Sequence, residues 1–183
     1  REISDQAITE TDHVLVADLA REIGRRDLAV ILAQAAHTDG FGEFHKTGYP
    51  LIPVVAGSNW TMVHAITRQE SQFDPLAQSP AGARGMMQLM PATGRDLAHK
   101  LGLRWSEQML EDPAMNIALG SYYLGRLIRG FEGSYILGIA SYNAGVSPVR
   151  DWLHRMGSPP KSLESAVDWV ESIPYAETRT YVM

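Results

Sequence analysis

The 183-residue chain contains no cysteine, which excludes disulfides, thiolate metal ligands and cysteine nucleophiles and leaves the redox compartment undecided. No apolar run approaches the length needed to span a bilayer. Basic residues are not in surplus: 16 Lys and Arg stand against 21 Asp and Glu, a net charge of −5. That balance argues against a nucleic-acid partner, although it leaves room for a local cationic groove. No stretch alternates polar and apolar residues as a strand would, and no long internal repeat is present. The six histidines lack the His-Glu-x-x-His spacing of a metal site, and no serine sits in a Gly-x-Ser-x-Gly elbow. Gly40 and Gly42 are followed by Lys46 and Thr47 without the glycine that a phosphate loop places before its lysine. Metal, serine-hydrolase and nucleotide chemistry all fall back, and no cofactor is expected.

What is present is the composition of a folded domain, 45% hydrophobic and 20% charged, with room for one well-buried domain and a small appendage. The chain opens at Arg1 with neither an initiator methionine nor a leader, as a piece of a longer protein would. Two helices are expected first, over residues 11–23 and 26–38. Leu15, Leu19 and Ile23 give one its apolar face; Leu28, Ile31, Leu32 and Ala35 give the other. Together they predict a hairpin over residues 1–45, which needs a partner surface either in the rest of the chain or in helices beyond it. Gly, Pro and aromatic residues between Phe41 and Asn59 mark a boundary, and the second domain is taken as residues 46–183. There, helices are expected near 60–70, 91–101, 113–129, 134–143, 148–156 and 163–172. Pro91 and Asp112-Pro113 open two of them, and Ser134 and Ser147-Pro148 are read as caps. The predicted class is all-α.

Glu70 is the most informative residue. Val63, Ile66 and Glu70 recur at helical spacing, so a carboxylate continues an apolar stripe. Asp74-Pro75 forces the helix to end just beyond it, placing Glu70 near the negative end of the helix dipole. Burial and dipole both favour the protonated form, as a general acid requires. The alternative is a helix-end glutamate turned to solvent. The following run, Ser79 to Pro91, is dense in small and turn residues and carries Met86, Met87, Gln88 and Met90, which give either a soft groove wall or ordinary core filling. Gln88 among apolar neighbours holds either a ligand or its own loop. Tyr142 and Asn143 stand side by side before Gly145, where they can meet a substrate or simply cap a helix. Glu177 and Arg179 lie after Pro174, where they either brace a site or form an exposed ion pair.

Four of these segments in order resemble a known family: Glu70-Ser71, the GMMQLMPAT run from Gly85 to Thr93, the SYNAG run from Ser141 to Gly145, and the IPYAETR run from Ile173 to Arg179. They resemble the soluble lytic transglycosylases of bacterial cell walls, over roughly residues 46–183. The resemblance implies a lysozyme-like, all-helical catalytic domain, and makes residues 1–45 the end of a preceding helical superhelix. It implies that Glu70 alone serves as acid and base in cleaving the β-1,4 bond between N-acetylmuramic acid and N-acetylglucosamine, with the C6 hydroxyl of the muramoyl unit as nucleophile and a 1,6-anhydro product. Ser71, Met87, Gln88 and Met90 would support or line the glycan groove, Tyr142 and Asn143 would border the reacting sugar, and Glu177 would close the site. Peptidoglycan strands are then the partner, and the periplasm or cell envelope is the location. Met86 replaces the family's usual leucine and Ser141 its usual alanine. The family also continues into a further helix after the Glu-Thr-Arg motif, so the domain is expected to be truncated at Met183. Two alternatives remain: a goose-type lysozyme-like hydrolase that uses water, and a peptidoglycan-binding or scaffold protein without turnover.

Overall fold

In the computed structural model, residues 9–41 and 50–183 are described; the boundary expected at 45/46 and the Gly42–Thr47 stretch lie outside the described residues. The chain divides into two compact units, Arg1–Gly120 and Ser121–Met183, and the division falls within a helix.

The first unit opens with α1 (Glu10–Glu22) and α2 (Arg26–Thr38). Thr9 and Asp12 start α1 by exchanging bonds: the Thr9 N–H donates to the Asp12 carboxylate at 3.0 Å, and the Asp12 N–H to the Thr9 hydroxyl at 3.2 Å. Gly24, at φ +72, turns the chain into α2. The Leu15, Leu19 and Ile23 stripe is not the face that α1 lays on α2. Leu15, Leu19 and Ile23 stay 63%, 48% and 58% exposed, while His13, Ala17 and Ala20 are buried. Small side chains on that inner face let two helix backbones approach closely, and Ala29 and Leu32 of α2 complete the cluster around Ala20.

Four further helical elements belong to this unit or start in it. α3 (Trp60–Ser71) is capped by Asn59, whose Oδ1 accepts the Met62 N–H at 3.1 Å. α4 (Pro91–Lys100) begins at its proline, as the sequence predicts. A 3-10 turn, Glu107–Leu110, precedes α5 (Pro113–Gly130), where the Asp112 carboxylate accepts the Met115 N–H at 2.8 Å. Strand pairing among the described residues is confined to two isolated bridges, Gln78 with Arg84 and Arg84 with Leu89.

The second unit holds the end of α5, then α6 (Tyr135–Ala144), α7 (Val146–Met156), α8 (Leu163–Glu171) and α9 (Ala176–Val182). Its core gathers Leu137, Ala140, Val149, Trp152, Trp169 and Ile173. Gly138 allows α6 to press on α5, because a methyl group there would meet an Ile128 side-chain carbon at 2.6 Å. Ser134 caps α6 as expected. Ser147 does not cap α7: that helix starts at Val146, directly after Gly145, whose φ of +87 ends α6 and re-aims the chain in one residue. The segment after Pro174, where no helix is expected from the sequence, is the short helix α9.

Candidate active site

α3 delivers Glu70 as its periodicity requires. Val63 and Ile66 are buried on its inner face, and Glu70, one turn on, is half-buried. His64 anchors the start of this helix from inside: its Nδ1 lies 2.9 Å from the Trp60 carbonyl, and its Nε2 accepts the Ile52 N–H at 3.1 Å. The partners fix the neutral tautomer with the proton on Nδ1. The other end is anchored by Ser71, whose hydroxyl lies 2.8 Å from the Met86 carbonyl and 3.2 Å from that of Thr67. The residue beside Glu70 thus ties the helix end to the loop that follows.

That loop is strained. Of the four non-glycine residues with positive φ among those described, three fall between the end of α3 and the start of α4: Gln72 at 54°, Phe73 at 68° and Gln88 at 47°. Such conformations persist only where surrounding contacts enforce them, and they gather at functional sites. Phe73 is plugged into the core, 1% exposed. Around Gln88 the backbone closes on itself, with Arg84 and Leu89 exchanging N–H···O bonds of 3.0 and 3.1 Å. Gln88 Nε2 donates to the carbonyls of Ala77 at 3.0 Å and Gly85 at 2.9 Å, so its amide pins the loop. Met86 and Met87 are core residues, 2% and 0% exposed, whereas Met90 is 42% exposed. Met87 backs the loop from inside, its sulfur facing Gly120, where a methyl group would lie 2.3 Å away.

Asn116 organises the same loop and was not singled out in the sequence. Wholly buried on α5, it accepts the Met87 N–H at 2.8 Å and donates to the carbonyls of Arg84 at 3.0 Å and Leu110 at 2.8 Å. Gly85 is compulsory beside it: a methyl group there would lie 2.0 Å from the Leu110 oxygen. A lone amide in the apolar run from Ala114 to Leu119 was the available signal.

The second unit brings together Asn143, Glu177 and Thr178. Asn143, at the end of α6, donates from Nδ2 to the Glu177 carboxylate at 3.0 Å, and its Oδ1 accepts the Thr178 hydroxyl at 2.6 Å. Glu177 is exposed and Thr178 is 1% exposed. Arg179 turns instead to the Ile173 carbonyl, 2.6 Å away, and holds the Pro174 turn. Tyr142 lies against Tyr123, with ring centroids 5.4 Å apart. Burial pushes the Tyr123 phenol above its ordinary value, against the opposing pull of Arg126. A cleft of about 890 Å³ in this unit is lined by Ser134, Tyr135, Arg150 and Lys161, among others, at the far end of α6 from Tyr142 and Asn143. Among the described residues, no three His, Asp or Glu side chains converge as a metal would require.

Of the residues singled out in the sequence, Glu70, Ser71, Gln88 and Met90 lie in the first unit, and Tyr142, Asn143 and Glu177 in the second. The all-α frame, with a loop tied to α3 and α5 by Ser71 and Asn116, is that of a lysozyme-like domain. Comparison with known proteins gives the family. The transglycosylase SLT domain matches residues 55–164, and the chain belongs to that family. The soluble lytic murein transglycosylase of Escherichia coli K12 is 42% identical over 120 residues, covering 64% of this chain and 18% of that protein. The crystal structure of the 70 kDa soluble lytic transglycosylase from Escherichia coli superposes with a TM-score of 0.77 at 30% identity, over 95% of this chain and 29% of that one. A lytic transglycosylase from Pseudomonas aeruginosa, solved as an inactive mutant with glutamine in place of a glutamate, gives 0.74 at 31% identity, over 93% of this chain and 28% of that one. The chain spans about a fifth of the length of the curated relatives it matches.

Proposed function

We propose that this chain is the catalytic part of a peptidoglycan lytic transglycosylase, with Glu70 as its single acid and base. The observation that carries the reading is the Ser71 bond to the Met86 carbonyl, which fixes the helix end bearing Glu70 to the loop bearing Gln88 and Met90. The C-terminal end of α3 disfavours a second negative charge, which suits a group that must begin protonated. Glu70 gives its proton to the glycosidic oxygen as the C1–O bond breaks. The C6 hydroxyl of the same muramoyl unit then bonds to C1 while the Glu70 carboxylate takes the hydroxyl proton, which returns the acid and leaves a 1,6-anhydro ring. An internal nucleophile has a high effective concentration, so no second carboxylate is needed to activate water. Gln88 and Met90 line the glycan groove with Met87 packed behind them, Tyr142 and Asn143 border the reacting sugar, and Glu177 closes the site. The substrate places the protein in the periplasm or cell envelope.

Residues 1–45 are read as the end of a longer helical array. The exposed Leu15, Leu19 and Ile23 stripe supports this, because a preceding helix would cover it.

Mass spectrometry of products released from purified peptidoglycan, with Glu70→Gln in parallel, tests the assignment. Anhydromuramoyl ends from the parent protein and none from the variant are expected. Reducing ends would make water the nucleophile, and substantial cleavage by the variant would remove Glu70 from its role.

A further inference from the structure

We infer that Thr178 is a positioning residue: its buried hydroxyl sets which end of the Asn143 amide faces Glu177, and so orders the polar end of the site. The inference rests on the transglycosylase reading only for its consequence in turnover, and on the geometry for the rest.

The two ends of a carboxamide have the same shape and opposite hydrogen-bonding sense, so neighbours alone decide its orientation. Asn143 has two such neighbours. Its Oδ1 accepts the Thr178 hydroxyl at 2.6 Å, and its Nδ2 donates to Glu177 Oε1 at 3.0 Å. Glu177 is exposed, where water competes for its oxygens and a ligand can displace them; Thr178 is 1% exposed. Leaving a buried hydroxyl without an acceptor is costly, and the Asn143 oxygen is the acceptor the Thr178 hydroxyl uses. Turning the amide over would leave that O–H without an acceptor and set the amide oxygen against a carboxylate. The buried contact thus holds the orientation even when the exposed one is interrupted. The two bonds run in one direction, from Thr178 through the amide to Glu177, so each polarises the other. The Asn143 amide has a second N–H, which this orientation keeps on the Glu177 side, where a glycan acceptor oxygen can take it.

Thr178 belongs to α9 and Asn143 to α6, 35 residues apart, so the device depends on the docking of those two helices within one unit. Packing and hydrogen bonding can be separated by substitution. Thr178→Val keeps the buried volume and removes the donor, whereas Thr178→Ser keeps the donor and deletes a buried methyl group.

The test uses the full chain in three forms: the parent, Thr178→Val and Thr178→Ser. The first readout is the NMR signal pair of the Asn143 side-chain amide, assigned by its loss in Asn143→Asp; the second is turnover of purified peptidoglycan. Thr178→Ser should keep the two amide protons well separated, as one bonded to a carboxylate requires, and keep kcat within about twofold. Thr178→Val should collapse them toward the values of a free amide and lower kcat about tenfold. Unchanged Asn143 signals in Thr178→Val would overturn the inference, as would a larger activity loss in Thr178→Ser, the order that packing alone predicts. If the signals collapse as expected while the parent protein releases no anhydromuramoyl product, Thr178 keeps its role and the proposed reaction is what fails.

Discussion

Replacing Asn116 by leucine should cost about 3 kcal/mol, because the side chain satisfies three backbone groups where water cannot. The heaviest part is the Met87 N–H, which donates to Asn116 Oδ1 at 2.8 Å in a residue with no exposed surface. An orphaned buried donor of this kind costs about 1–3 kcal/mol. The Leu110 carbonyl loses its 2.8 Å bond to Nδ2, while the Arg84 carbonyl retains a second partner in the Leu89 N–H. Together these two add about 1 kcal/mol. Leucine keeps the branching and heavy-atom number of asparagine, so no large cavity is left, but its methyl groups cannot sit 2.8 Å from the Met87 nitrogen and the Leu110 oxygen, and the local repacking this forces adds to the loss. Against a total stability of about 5–15 kcal/mol the loss is large, and it should lower the melting temperature by about 6–12 °C in a chain of this length. Urea unfolding followed by far-UV circular dichroism, at fixed pH and protein concentration, measures it. On the proposed reading turnover should fall as well, since Asn116 holds the loop that carries Gln88 and Met90. A change below about 1 kcal/mol would refute the reasoning, because the three bonds would then have been replaced by solvent or by each other.

Two further perturbations follow from the same accounting of polar groups. Ser141 is wholly buried and its hydroxyl has no hydrogen-bond partner among the described residues, so Ser141→Ala should raise stability by about 1 kcal/mol; unfolding at a higher urea concentration is the expected result, and a lower midpoint would show that the hydroxyl is satisfied. Asp27 is held below the usual carboxylate range, first by the Arg25 side-chain bonds of 2.9 and 2.6 Å. Its folded form thus releases its proton more readily than its unfolded form. That contribution is present above about pH 4, the unfolded carboxylate range, and is lost as pH falls through the lower folded value. Arg25→Ala should remove about 1 kcal/mol near neutrality, a modest figure because Arg25 is 54% exposed, and should flatten the acid limb of stability against pH; an unaltered limb would assign it to other carboxylates.

What the sequence discloses and what it hides follow from the range of the interaction involved. Helix starts at Pro91, Pro113 and Ser134 are written in neighbouring residues, and so is the placing of Glu70 after Val63 and Ile66, because caps and helical faces depend on partners one to four positions away. Which face of α1 meets α2 is hidden for a related reason. Periodicity marks Leu15, Leu19 and Ile23 as one apolar side, but which side a neighbouring helix takes depends on how closely two backbones can approach, and Ala17 and Ala20 decide that. Helix α9 was missed because seven residues after a proline carry too little pattern, and its position is set by contacts with α6. The residues that give the site its order lay beyond sequence reading for the strongest form of this reason. Asn116 meets Met87 across 29 residues and Thr178 meets Asn143 across 35, and no local signal says which buried amide will meet which backbone or hydroxyl. Chemistry-bearing groups can be recognised one at a time from the chain. The groups that hold them in register have ordinary identities and become functional only through their partners, so a substitution at Asn116 or Thr178 is the more searching test of how this site is built.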